Sequence, residues 1–147
     1  MVTSTSSLTD LIGALPDPEL PILTIGDLGI LRRVEVTGNE ARVTITPTYI
    51  GCPAIEAIAE DVVRAAATFG FNATIAIEYA PWTTDWVSAE GRRKLADAGI
   101  APPGAPPSCP QCAGREVSTI SHFGSSACKA LLLCDTCGEP FDLFKEL

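Results

Sequence analysis

Two cysteine knuckles constrain this chain more than any other feature. Cys109-Pro110-Gln111-Cys112 is followed, after 21 residues, by Cys134-Asp135-Thr136-Cys137-Gly138. A two-residue gap lets both thiolates of a pair turn inward on one tight loop. Two such loops supply four sulfurs in a tetrahedron, the donor set that suits zinc. The surrounding segment has too few large apolar side chains to fold by burial alone. A bound metal supplies the missing folding energy, on the order of 10–16 kcal/mol for structural zinc. Four ligands leave no open position, so this metal is expected to be structural. The same spacing also admits an iron–sulfur centre or a redox-active pair. His122 and Cys128 lie between the knuckles. Four better-placed thiolates leave them as a surface histidine and a packed or exposed thiol, and Lys129 favours the Cys128 thiolate modestly if the two are close.

Charge and cysteine placement narrow the class of protein. The chain has 147 residues, a net charge of −8 and six cysteines, five of them in the last 39 residues. That acidity argues against a nucleic-acid partner. Met1–Ser7 has no basic start and no apolar run, so no signal peptide is expected. No stretch reaches the roughly 18 apolar residues of a membrane helix. The expected compartment is the cytoplasm, where paired cysteines serve as metal ligands or redox groups more often than as disulfides.

Along the chain, Leu8–Leu15 reads as a short helix, with Ser7 or Thr9 near its start. Pro16-Asp17-Pro18-Glu19-Leu20-Pro21 stops it, because proline lacks the amide donor and clashes with the preceding turn. Val34 and Val36 alternate with charged residues, as do Val43 and Ile45, and Gly38-Asn39 supplies a hairpin turn. Residues 54–69 place Ile55, Ile58, Val62, Ala66 and Phe69 near one helical face, with Gly70 as C-cap. Ala73–Tyr79 alternates as a third strand, with Ile75, Ile77 and Tyr79 on one side. Ser88 caps a last helix that runs to about Ala98 and stops at Gly99. The fold class is α+β: a small mixed sheet with packed helices, followed by a zinc ribbon. Four prolines in Ala101–Pro107 favour an extended spacer. The expected domains are therefore 1–100 and 108–147, with 101–107 as linker.

In the first domain, Cys52 is the residue with chemistry to offer. Pro53 suits a first helical position and Gly51 frees the backbone, so Cys52 falls at or near a helix N-cap. Free amides and the helix dipole there favour a thiolate, able to hold a metal transiently or to accept sulfur. The equal alternative is a small buried hydrophobe at a strand–helix junction. Asp17, Glu19 and Asp27 lie in loops that can approach the same end, or else serve capping and solvation. Trp82 and Trp86 read as lid or interface anchors, and Arg92-Arg93-Lys94 as a solvated helix face.

Asp17-Pro18-Glu19-Leu20-Pro21, Asp27-Leu28-Gly29, Thr46-Pro47-Thr48-Tyr49 and Gly51-Cys52-Pro53 together resemble the metal–sulfur cluster assembly domain of iron–sulfur targeting factors. Pro81–Trp86, Gly99–Pro103, Phe123–Ala130 and Glu139-Pro140-Phe141-Asp142 narrow the likeness to the PaaD family of the phenylacetyl-CoA epoxidase system. Ser126 stands where that pattern leads one to expect threonine. The resemblance covers nearly the whole chain. It implies an accessory role in aerobic phenylacetate catabolism, assisting iron–sulfur or di-iron centre assembly in a partner. The implied partners are oxygenase or iron–sulfur reductase subunits, and the implied cargo is a transient iron–sulfur cluster or iron. The cysteine matching the assembly-domain motif is Cys52. Self-association into a homodimer is also implied. The alternative is a non-catalytic structural subunit or docking scaffold. A complete oxygenase is not expected: the chain has one histidine, no Glu-x-x-His pair and no Gly-rich dinucleotide fingerprint.

Overall fold

A computed structural model of the chain describes residues 5–49, 51–103, 106–124 and 129–144. The chain forms two compact units, Met1–Trp82 and Thr83–Leu147. In the first, α1 spans Thr5–Gly13, β1 Leu31–Thr37, β2 Glu40–Ile45, α2 Ala54–Thr68 and β3 Asn72–Ile77. The sheet order is β1-β2-β3, with β1 antiparallel and β3 parallel to β2. This is the small mixed sheet expected from the hairpin followed by a strand–helix–strand step. Gly38 takes φ +61° in the hairpin turn, a conformation that favours glycine.

The buried core of this unit draws on α1, α2 and β2. Leu8 and Ile12 come from α1, Ile58, Val62 and Ala66 from α2, and Val43 and Ile45 from β2. The segment between α1 and β1 has no helix or strand of its own, yet it buries Leu20, Leu23, Ile25, Leu28 and Ile30. Its backbone is tied back to α1: Ile25 N–H donates to Leu15 O at 2.9 Å and Gly26 N–H to Gly13 O at 3.0 Å. Here glycine is needed for room. A Cβ on Gly26 would meet Gly13 O at 2.8 Å, and that neighbour is backbone. Gly26→Ala is therefore expected to destabilise the first unit by about 1–3 kcal/mol, the usual cost of overpacking. The midpoint of chemical denaturation, followed by circular dichroism, checks this.

Two aromatic residues depart from their expected places. Phe69 lies beyond α2 as its C-cap and is 42% exposed, off the buried face. Strand β3 ends at Ile77, and Tyr79 is 70% exposed, so the alternation there does not mark a core face.

The second unit starts with a 3-10 turn at Thr84–Trp86 and α3 at Ala89–Asp97. Ser88 Oγ accepts from Gly91 N–H at 3.0 Å, the N-cap its position suggests. Arg92 is not a solvated charge. Its guanidinium donates to the Thr84 carbonyl at 2.8 Å and to the Pro103 carbonyl, fastening the segments on either side of α3. Arg93 does lie exposed, paired with Glu90 and Asp97. A four-stranded sheet follows, ordered β4-β7-β6-β5, from β4 Ile100–Ala101, β5 Val117–Ser121, β6 Lys129–Cys134 and β7 Pro140–Phe144. Ala101 is buried in β4 and pairs with Leu143, so the first residue of the proline-rich stretch is sheet, not spacer. With α3 and β4 both in the second unit, the contacts divide at Trp82/Thr83, away from the proline run. No helix among the described residues is long and apolar enough to cross a membrane.

Candidate metal centre and the Cys52 pocket

The two knuckles have matching backbones. Ala113 N–H donates to Cys109 O at 2.8 Å, and Gly138 N–H donates to Cys134 O at 2.8 Å. The donor residue has positive φ in both, +61° at Ala113 and +78° at Gly138. Each loop thus turns its sulfurs to one side, and the ligand atoms of Cys109, Cys112, Cys134 and Cys137 all lie within 4.8 Å of one another. Amides point at these sulfurs, among them Gln111 N–H at Cys109 Sγ, Gly114 N–H at Cys112 Sγ and Cys137 N–H at Cys134 Sγ, each at 3.4 Å. Such donors stabilise thiolates and hold them in place. The amide of Cys137 is the main influence that draws the Cys134 thiol down to about 6. At Cys137 the Glu139 amide acts in the same direction, but desolvation and the neighbouring thiols prevail and push it up to about 12. Without metal the quartet therefore keeps part of its protons, which zinc must displace.

Carboxylate and imidazole groups do not join the quartet. Asp135 sits inside the second knuckle, but its oxygens accept from Ser118 Oγ at 2.9 and 2.8 Å. His122 is outside the cluster of possible ligands. Cys128 and Ser126 lie outside the described residues. Four sulfurs from two tight loops, with two of them buried, fit zinc in a closed tetrahedral site.

The Cys52 pocket is built differently. Gly51 takes φ +81°, Cys52 N–H donates to Tyr49 O at 3.3 Å, and Pro53 is the N-cap of α2. Cys52 thus sits one residue outside the helix, and it is 7% exposed. Burial pushes its thiol up. The Ala54 amide and the Thr48 hydroxyl act the other way, while the charges of Glu19 and Asp17 add to the rise. Of the two readings of Cys52, this position agrees with the small buried residue at a strand–helix junction. Pro53 has no N–H to offer, and the remaining amide does not offset desolvation and two nearby carboxylates.

Asp17 and Glu19 lie near enough for their charges to act on the Cys52 thiol. Asp17 is 7% exposed, and its Oδ2 accepts from Leu20 N–H at 2.8 Å. Asp27 closes its own turn, its carboxylate accepting from Thr24 N–H at 3.1 Å and its amide donating to Thr24 Oγ1 at 3.0 Å. Thr48 is the addition from the structure. Its hydroxyl reaches Cys52, and the only cue in sequence was its place in the same short loop. Trp82 is anchored by its indole N–H to Leu28 O at 2.8 Å, beside the Asp27 turn.

Burial also pushes the Asp17 carboxyl up, against the Leu20 amide and helped by Glu19. The native state then binds a proton more readily than the unfolded chain. This stabilisation is present below the ordinary carboxylate range and is lost as pH rises through the raised value. Asp17→Asn keeps an acceptor for Leu20 without the charge. It is expected to raise Tm near pH 7, with a gain that shrinks toward about pH 4. Thermal melts across that range check the sign.

Comparison with known proteins agrees with both halves. Residues 7–76 match the iron–sulfur cluster assembly protein family, and residues 101–145 match the PaaD zinc beta ribbon domain. A crystal structure of a domain of unknown function, DUF59, from Bacillus anthracis superposes with a TM-score of 0.57 at 29% identity. It covers 62% of this chain and 90% of that one. A putative 1,2-phenylacetyl-CoA epoxidase subunit of Escherichia coli (strain K12) is 44% identical over 146 residues, 92% of this chain and 88% of the relative. The chain belongs to the PaaD family. In this PaaD-family chain the assembly-protein match lies within the first compact unit and contains Asp17, Glu19, Thr48 and Cys52. The ribbon match begins at Ala101, in β4, and contains all four clustered cysteines. Helix α3 lies between the two matches.

Proposed function

We propose that this chain is an accessory factor that assists iron–sulfur or di-iron centre assembly in an oxygenase or reductase subunit of a phenylacetyl-CoA epoxidase system, without itself turning over substrate. The observation that carries the reading is the meeting of Cys52, Asp17, Glu19 and Thr48 inside the segment that matches iron–sulfur cluster assembly proteins. The electrostatics suit transient traffic. The carboxylates and burial keep Cys52 protonated, which protects the sulfur from oxidation, since the thiolate is the reactive form. An arriving iron or cluster species brings positive charge and inverts that balance: the same carboxylates now attract it, and the thiol releases its proton as the sulfur binds. The proton passes to a carboxylate or to water. A sulfur held this way releases its cargo more readily than a thiolate locked among amide donors.

The ribbon's role in this reading is structural, holding Cys109, Cys112, Cys134 and Cys137 on zinc and presenting a docking surface. A pure docking scaffold is the second reading, favoured by the burial of Cys52. Cys52→Ser separates the two. Iron and labile sulfide are measured in co-expressed oxygenase and reductase subunits. Loss of loading supports assembly, full loading with full activity leaves only the scaffold, and full loading with lost activity points to a working subunit of the complex.

A further inference from the structure

The four sulfurs of the ribbon are not equivalent. Each knuckle holds one buried cysteine and one exposed one. Cys109 and Cys134 are 3% and 0% exposed, whereas Cys112 and Cys137 face solvent. The buried two belong to the apolar core of the ribbon, with Leu132 and Phe141, and the exposed two do not. The sulfurs also approach one another in a definite pattern. Cys112 Sγ lies 3.5 Å from Cys134 Sγ, and Cys109 Sγ lies 3.6 Å from Cys137 Sγ. Both contacts cross from one knuckle to the other, and each joins an exposed sulfur to a buried one. Together they use every sulfur of the quartet once.

Four cysteines admit three ways of forming two disulfides. We propose that the ribbon has a second, zinc-free state, reached by oxidation with a peroxide, in which the disulfides Cys112–Cys134 and Cys109–Cys137 join the knuckles in place of the metal. Zinc holds its ligands as thiolates, the form that peroxides oxidise. The exposed sulfurs meet the oxidant first. Cys112 Sγ attacks one peroxide oxygen: the S–O bond forms, the O–O bond breaks and hydroxide leaves, giving a sulfenic acid. Cys134 Sγ, 3.5 Å away, then attacks that sulfur: the S–S bond forms, the S–O bond breaks and a second hydroxide leaves. Cys137 and Cys109 follow the same course. Each sulfur pair gives two electrons to one peroxide, so two peroxides become four hydroxides and one Zn²⁺ departs. The buried sulfur is shielded from the oxidant and sits beside the exposed one. The sulfenic acid is therefore captured as a disulfide before it can go on to the irreversible sulfinic acid. Disulfides within a knuckle would leave the two loops unlinked, whereas this pairing keeps them tied.

Hydrogen peroxide added to the full zinc-loaded chain tests this. Zinc release is followed with a chromogenic chelator, and the disulfides are mapped by trypsin digestion and tandem mass spectrometry. Trypsin cleaves after Arg115 and Lys129, so the two knuckles fall in separate peptides. Fragmentation at Pro110 and Asp135 then separates the two cysteines of each knuckle. The expected result is loss of the zinc only when peroxide is present, a cross-linked peptide pair with Cys112 joined to Cys134 and Cys109 to Cys137, and recovery of the zinc site on adding dithiothreitol and zinc. Zinc that stays bound under peroxide overturns the proposal. So do disulfides within a knuckle, a Cys109–Cys134 link, a link to Cys52 or Cys128, and sulfinic acids in place of disulfides.

Discussion

Stripping zinc from the chain is expected to unfold residues 106–144 while the first unit keeps its structure. The core of the ribbon is Ala101, Cys109, Leu132, Cys134 and Phe141, with Val117 and Leu143 packed against it. Two of those five central residues are themselves ligands. The apolar side chains that remain contribute about 1.5–3 kcal/mol each at most. So small a core is not enough to order a module of this size without a staple. The metal therefore decides whether the unit folds, at an apparent 10 kcal/mol or so. Amide exchange of the full chain, with and without a chelator, reads both units at once. Protection in β5–β7 should disappear on chelation, return on adding zinc, and be absent in Cys134→Ser. Persistent protection after complete zinc removal would sink the closed-site interpretation.

The second large effect is on the partners' metal. With Cys52→Ser, iron in the co-expressed epoxidase subunits is expected to fall about tenfold or more, since even supporting groups around a metal ligand alter affinity 10–100-fold. The substitution is mild for the fold. Cys52 is small, its neighbours include the Thr48 hydroxyl, and a serine hydroxyl can take up the Ala54 amide in its place. Zinc content should stay at one equivalent, since the ribbon's ligands are all in the other unit. The readout thus separates a chemical loss from a folding loss. Asp17→Asn offers a second handle on the same pocket, because its stability rises while one of the attracting charges is gone.

Much of the candidate chemistry was legible in the chain. Spacing alone singled out Cys109, Cys112, Cys134 and Cys137, because a two-residue gap is a local geometric property that survives any packing. The Gly38-Asn39 turn, the Ser88 cap and the limits of α2 are local in the same sense: each depends on dihedral preference or on a hydrogen bond within a few residues. Cys52 was legible as a candidate through its neighbours Gly51 and Pro53, but its ionisation was not. A helix mouth favours the thiolate, whereas desolvation and the charges of Glu19 and Asp17 push the thiol up, and those depend on a loop more than thirty residues away in sequence.

The four clustered cysteines, the order of the three helices and first three strands and the mixed sheet were written into the chain, since they follow from spacing, periodicity and turn chemistry. Folding in three dimensions made the proline-bounded loop between α1 and β1 part of the core, made Arg92 a tie and not a solvated charge, and parted the units at Trp82. It also chose which carboxylates meet Cys52, sending Asp17 and Glu19 there and turning Asp27 back on Thr24. The difference is one of range. Local conformation is set by residues a turn or two apart, whereas burial and charge are set by whatever the fold brings alongside.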